Sequence, residues 1–308
     1  MRRRFIVFGE ARSGTTILTT LLGAQPGARA QPALVGGALR MVKRWGRGVT
    51  SALAPAERVA VAGALNEALA RGGREPLEPD ACSTLAAAVE AALDALDDDA
   101  WLVGTKCHGP DALIEPLLDH ADLHVLYLAR DPRDVIRSRA RRGETHLARK
   151  LVGWRRSIAI ARRIHHRRFL FVRYEDLVRD LRGTFARVGL AFGWPLDPAA
   201  AEAWRRPAGQ RPNTSFDDDL TRLDPAPAER WRGAPDDPWV QHAQVTCAHE
   251  IARLGYAPGP PVPPSVRAAA HLRDRWATLR RTAGDATRSL QARRRPRELG
   301  DASEVHTT

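Results

Sequence analysis

No apolar run in this chain approaches the roughly 18 to 20 residues that a membrane-spanning helix needs. A helical membrane protein is therefore not expected. The opening "MRRRFIVFGEARSG" has the charged front of a secretory leader, but its apolar run is only "FIVF" before Gly-Glu-Ala-Arg. It reads as a first strand, with a cytoplasmic location expected. Cysteine is scarce: Cys82, Cys107 and Cys247 are odd in number and far apart. They predict plain thiols rather than a disulfide framework. Neither His165-His166 nor the Cys247/His249 pair has a second cluster at metal-ligand spacing, so no structural metal is expected. Lysine is scarce too: of 48 basic residues, only Lys43, Lys106 and Lys150 are lysine. With abundant alanine, that is the usage of a GC-rich bacterial genome. The interleaved aromatics and Gly-rich motifs of RNA-binding surfaces are also lacking, so no specific nucleic acid is expected as a partner.

What is present is positive charge. The formal net charge is +12 over 308 residues. Such an excess points to an anionic partner: nucleic acid, anionic lipid or a polyanionic small molecule. Residues 265–308 carry ten Arg against five Asp or Glu.

Short β-type runs alternate with helical patterns, which predicts an α/β fold on a parallel sheet with helices on both faces. Strands are expected at Phe5–Phe8, Trp101–Thr105, His124–Leu128 and Phe169–Val172. Ser83 is placed to cap a helix carrying Leu85, Val89, Ala92, Leu93 and Leu96 on one face. Another helix starts near Thr145, with "RRIHHRR" at its solvated end. Residues 26–80, rich in Gly, Ala and Pro, read as a substrate lid or irregular packing. Residues 200–240 read as a long loop, followed by a helix from about Pro238 to Leu254. "PGPPVPP" at 258–264 reads as a stiff linker. It divides a main domain, 1–257, from a basic tail, 265–308, that is helical or disordered. The tail's loose stripe of Leu272, Trp276, Leu279 and Leu290 leaves three fates open: solvated, docked on the body or a partner, or in contact with an anionic membrane.

"GEARSGTT", residues 9–16, follows the first strand. Gly9 and Gly14 have the spacing of a phosphate-cradling loop, and the next helix aims its free N–H groups at a ligand. Arg12 adds a fork of donors, while Ser13, Thr15 and Thr16 add hydroxyls. Thr15, however, occupies the place of the lysine that grips the β- and γ-phosphates of ATP or GTP. The third strand leads into Arg130 where a magnesium-binding Asp would be sought, and Asp131 before Pro132 fits helix entry and capping. Arg130 with Ser138 forms a second station for an anion. A metal-free ligand with phosphates at two ends is implied.

With both stations in view, the chain resembles the sulfotransferases that use 3′-phosphoadenosine 5′-phosphosulfate (PAPS), particularly bacterial ones with a P-loop-type fold. "FIVFGEARSGTTILTTLL" is similar to their 5′-phosphosulfate loop, with Arg12 in place of the commoner lysine. "LYLARDPRDVIRSR" is similar to their 3′-phosphate motif, with Arg130 and Ser138 at the matching positions. "VGTKCHGPDAL", "FLFVRYEDLVRD" and "AERWRGAPDD" with "IARLGY" extend the resemblance over Arg4 to Tyr256. Tyr174, Glu175 and Asp176 are expected to end a strand and start a helix. The resemblance implies PAPS as donor, no metal, and a small-molecule, glycan or lipid acceptor. Arg12, Ser13, Gly14, Thr15, Thr16, Arg130, Ser138 and Arg232 are the donor-site candidates, Arg230 being an alternative to Arg232. The glutamate that some relatives carry shortly after this loop is missing, because "AQPGARAQPAL" holds no acid. Lys106 and His108 are the catalytic candidates, with His146, Glu57 and Glu67 as alternatives for the base. A P-loop kinase or NTPase and a non-catalytic polyanion- or RNA-binding protein are the competing readings.

Overall fold

The computed structural model describes residues 2–204 and 228–294. In chain order, β1 (Arg3–Phe8) leads to α1 (Thr15–Gly23), and β2 (Ala28–Ala30) to α2 (Gly36–Arg44), α3 (Pro55–Arg71) and α4 (Leu85–Asp94). Then come β3 (Leu102–Cys107), α5 (Ile114–His120), β4 (His124–Ala129), α6 (Pro132–Ala140) and α7 (Leu147–Ala161). β5 (Phe169–Arg173) is followed by α8 (Tyr174–Arg179), α9 (Leu181–Phe192), α10 (Pro198–Ala203), α11 (Pro238–Thr246), α12 (Ala248–Arg253) and α13 (Pro264–Arg294).

The strands form one parallel sheet in the order β2-β3-β1-β4-β5. Side chains alternate across a strand, so β1 feeds two cores. Phe5 and Val7 pack with Leu18, Leu21, Leu126, Leu128 and Phe185. Ile6 and Phe8 pack on the other face with Val89, Val103, Leu117, Val125 and Tyr127. Burial on both faces is what a parallel sheet demands, and it bears out the expected α/β architecture. Because β1 lies between β3 and β4, with Phe8 in register with both Cys107 and Tyr127, three strand-end loops converge at one edge. Ligands of open α/β sheets bind at such an edge.

Several local readings need correction. Residues 26–80 are not irregular: they supply the edge strand β2 and then α2 and α3, whose Leu39, Val42, Val61, Leu65 and Leu69 enter the core. The Thr105 hydroxyl donates to the Gln31 carbonyl (2.7 Å) and accepts from the Leu34 N–H (3.1 Å), fastening this segment to β3. Thr84, not Ser83, caps α4 by accepting from the Ala87 N–H. The helix expected from Pro238 to Leu254 is two helices, interrupted at Cys247. Of the long loop expected over 200–240, residues 205–227 lie outside the described part. The three cysteines are free and buried, as expected of plain thiols.

The tail helix α13 packs along α7 and α11. Arg155 of α7 donates to both carboxylate oxygens of Asp274, at 2.8 Å each, and to the Thr246 carbonyl of α11 at 2.9 Å. Among the described residues no helix is long and apolar enough to cross a membrane.

Candidate active site

The loop after β1 holds three unusual backbone conformations, with φ of 151° at Gly9, 76° at Arg12 and 89° at Gly14. They curl the chain so that α1 begins at Gly14 with no side chain capping its first turn. An uncapped helix start leaves N–H groups for an anion. Ser13 is fully buried, and its hydroxyl has no hydrogen-bond partner among the described residues. Gly14 is required twice over: a Cβ there would sit 2.4 Å from the Tyr174 ring, in a left-handed backbone that favours glycine. Gly14→Ala is therefore expected to cost roughly 1 to 3 kcal/mol of stability through overpacking and strain. Tyr174→Ala should recover only the overpacking part, which thermal melting of the single and double variants would show.

The two anion stations expected from the sequence touch each other. Arg12 Nε donates to Ser138 Oγ at 3.0 Å, and Arg130 Nη1 donates to the Arg12 carbonyl at 3.1 Å. Burial, with Arg142 and Arg130 close by, lowers the Arg12 guanidinium to about 10. A site that crowds cations in this way is primed for an anion. Arg130 lies 4.6 Å over the Tyr174 ring and 3.6 Å from Asp134 Oδ2.

Lys106 and His108, at the end of β3, come to the same edge. His108 Nδ1 lies 2.9 Å from the Gly9 carbonyl, and Lys106 Nζ lies 3.2 Å from His108 Nε2. A carbonyl only accepts, so Nδ1 carries the proton and Nε2 presents its lone pair. Burial and then the Lys106 charge push His108 down to about 4, and burial lowers Lys106 as well. The imidazole is thus neutral and fixed in one tautomer. The Leu34 N–H bond to Thr105 sets the start of α2 beside β3, and the Arg40 charge adds to the lowering of His108.

The other bases considered are either paired or exposed. Glu57 accepts from the Ala54 N–H at the start of α3 and pairs with Arg47. Glu67 is exposed beside Arg71. His146 is exposed at the start of α7, in a left-handed conformation.

The sequence reading missed a buried support beneath Arg130. Asp131 caps α6, as expected, and also chelates Arg133, which is stacked 3.5 Å over Trp231. Asp134 accepts from the Trp231 N–H at 2.8 Å, tying the 230s to α6. Glu175 accepts from the Asp131 N–H, and burial raises it to about 7. The signal was the second acid of "RDPRD", which reads locally as nothing more than a helix start. Arg232 is half exposed and bonded to Glu229 at 3.2 and 3.3 Å. Burial raises the Tyr174 hydroxyl, and the Arg130 and Arg230 charges oppose that shift. Among the described residues no three His, Cys, Asp or Glu side chains gather into a metal site.

The model of the Sulfotransferase family matches residues 4–198. The chain belongs to the sulfotransferase family. It is accordingly a transferase of sulfuryl groups. No curated protein matches its sequence. Among solved structures, the sulfotransferase domain of the Synechococcus PCC 7002 olefin synthase is similar at 21% identity, with 85% of this chain and 96% of that one covered and a TM-score of 0.49. A Mycobacterium avium sulfotransferase gives 17%, 84%, 79% and 0.44 for the same measures. One from Alicyclobacillus acidocaldarius gives 15%, 82%, 94% and 0.42. The matched part of this sulfotransferase runs from β1 to α10 and contains Arg12 to Thr16, Lys106, His108, Arg130 and Ser138. Arg230, Arg232 and α13 lie beyond it.

Proposed function

We propose that this sulfotransferase takes PAPS as donor and transfers its sulfuryl group to a hydroxyl of a small-molecule, glycan or lipid acceptor. The observation that carries the reading is the junction of two anion stations at one sheet edge: the uncapped start of α1 with Arg12, and Arg130 with Ser138. Arg12 and residues Ser13 to Thr16 hold the 5′-phosphosulfate, and Arg130 and Ser138 hold the 3′-phosphate. Arg230 or Arg232 supplies a further cation from the 230s. The acceptor approaches from the side of α2, whose Arg40 charge acts on His108.

Sulfuryl transfer, like phosphoryl transfer, depends mostly on position and on charge neutralisation along the line of displacement. His108 Nε2 accepts the proton of the acceptor hydroxyl as its oxygen attacks sulfur. Lys106 neutralises the bridging oxygen as the bond to the 5′-phosphate breaks. The lysine that would grip the phosphates in an NTPase is replaced by Thr15, and Arg130 stands where the magnesium-binding Asp would be sought, so donor binding is expected to need no divalent ion.

The test is thermal melting with the product 3′-phosphoadenosine 5′-phosphate. A ligand that binds only the folded state raises its stability by about 2.7 kcal/mol at a hundredfold excess over Kd. The expected shift is the same with EDTA and with magnesium. No shift with this nucleotide, beside a clear shift with magnesium and ATP, would select the kinase reading.

A further inference from the structure

We infer that the outer face of α13 is a docking surface for an anionic lipid bilayer. Five large apolar side chains stand out as exposed among the described residues, and three of them are Leu272 (60%), Trp276 (58%) and Leu279 (61%). Their spacing of four and then three residues puts them on one face of the helix. The opposite face is the one held by the body: Ala270 and Ala277 are buried, and Asp274 is paired with Arg155. Helical geometry puts Arg273 and Arg280 on one flank of the exposed stripe and Arg275 on the other, all of them exposed. Between residues 264 and 284 the only acid is Asp274, and it is turned inward. The exposed face therefore carries Trp and Leu at its centre, Arg at its edges and no carboxylate. An amphipathic helix of this make lies in the interface of a bilayer, its apolar ridge among the acyl chains and its cations among anionic headgroups.

A second copy of this chain fits the stripe less well. Two such faces brought together would set arginine against arginine at every flanking position, with no acid to relieve them. A bilayer with anionic lipid satisfies the ridge and the flanks together, and Trp is a residue enriched at that boundary.

The same helix also reaches the donor loop. A Cβ on Gly153 would lie 2.8 Å from Arg281 Nη1 and 3.6 Å from Glu10 Oε1, so α13 and the loop after β1 meet over this glycine of α7. The donor loop thus meets the inner face of α13, opposite the exposed stripe.

Sedimentation of the 308-residue chain with vesicles tests the proposal. Vesicles of phosphatidylcholine with phosphatidylglycerol should carry the protein down, pure phosphatidylcholine should do so far less, and binding should weaken as salt rises. The variant R273A/R275A/R280A should lose on the order of 100-fold in partitioning, since each cation near an anionic surface contributes about a factor of five to ten. L272S/W276S/L279S should lose about tenfold or more by removing the ridge. These residues are exposed, so both variants should melt as the parent does. They should also keep their response to 3′-phosphoadenosine 5′-phosphate, which separates this proposal from the donor reading. Failure of the parent to bind the mixed vesicles would overturn it, as would undiminished binding by either variant. A dimer seen by light scattering and abolished by L272S/W276S/L279S, without vesicle binding, would assign the face to a second copy.

Discussion

Replacing His108 with alanine should lower turnover by roughly 10²-fold or more, the usual scale of general-base catalysis, while leaving affinity for 3′-phosphoadenosine 5′-phosphate nearly unchanged. The base role rests on a fixed tautomer: Gly9 holds the Nδ1 proton, and Nε2 is left to accept. Without donor, the Lys106 ammonium occupies that lone pair at 3.2 Å. In the proposed mechanism, Lys106 turns to the bridging oxygen when the phosphosulfate arrives and frees Nε2 for the acceptor. Lys106→Ala should therefore lose both turnover and part of the donor affinity, because phosphate charge exists before as well as during transfer. Acceptors of lower hydroxyl pKa should suffer less from His108→Ala. The pH profile gives an independent check. His108 must be neutral to act, and burial has lowered it to about 4. The acid limb of kcat/KM for the donor, which reports the free enzyme, should thus lie well below the ordinary histidine value near 6.5. A normal rate for His108→Ala with an unactivated alcohol would remove the histidine from the chemistry.

Arg130→Ala should weaken donor binding by roughly 2 kcal/mol or more, since charge-assisted hydrogen bonds are the strong ones. It should also destabilise the fold. Asp134 is buried, lies 3.6 Å from Arg130 and would keep its bond from the Trp231 N–H but lose its cation. Stranding one partner of a buried ion pair typically costs about 3 to 5 kcal/mol. Melting curves would register that loss, and donor discrimination separates it from the binding effect. The parent enzyme should use adenosine 5′-phosphosulfate poorly, because that donor lacks the 3′-phosphate. The variant should use both donors about equally badly. Equal use of the two donors by the parent would eliminate the Arg130 and Ser138 station.

How far the site was legible follows from the range of the signals. Strand period, glycine spacing and the replacement of lysine by Thr15 are written within a few residues of one another. They placed β1, β3, β4 and β5 within two residues of their observed bounds and singled out the loop after β1 as the candidate anion site. Local rules fail where neighbours compete for one role: Ser83 and Thr84 are both competent caps, and only the chain direction at the start of α4 chose Thr84. Residues 26–80 read as irregular because β2 is three residues long and gains its order from pairing with β3.

The sequence by itself therefore determined the class of fold, the family resemblance and the chemical kinds of group at the site, because each is encoded in short contiguous patterns. Tertiary structure alone decided which groups meet. The order β3-β1-β4 brought Lys106 and His108 to the loop of Gly9, and Arg12 to Ser138, across 126 residues of chain. It tied Trp231 to Asp134 of α6, and it fixed the tail through Arg155 and Asp274, 119 residues apart. Such contacts form only when packing of the two apolar cores repays the entropy of closing long loops. No local pattern records that balance.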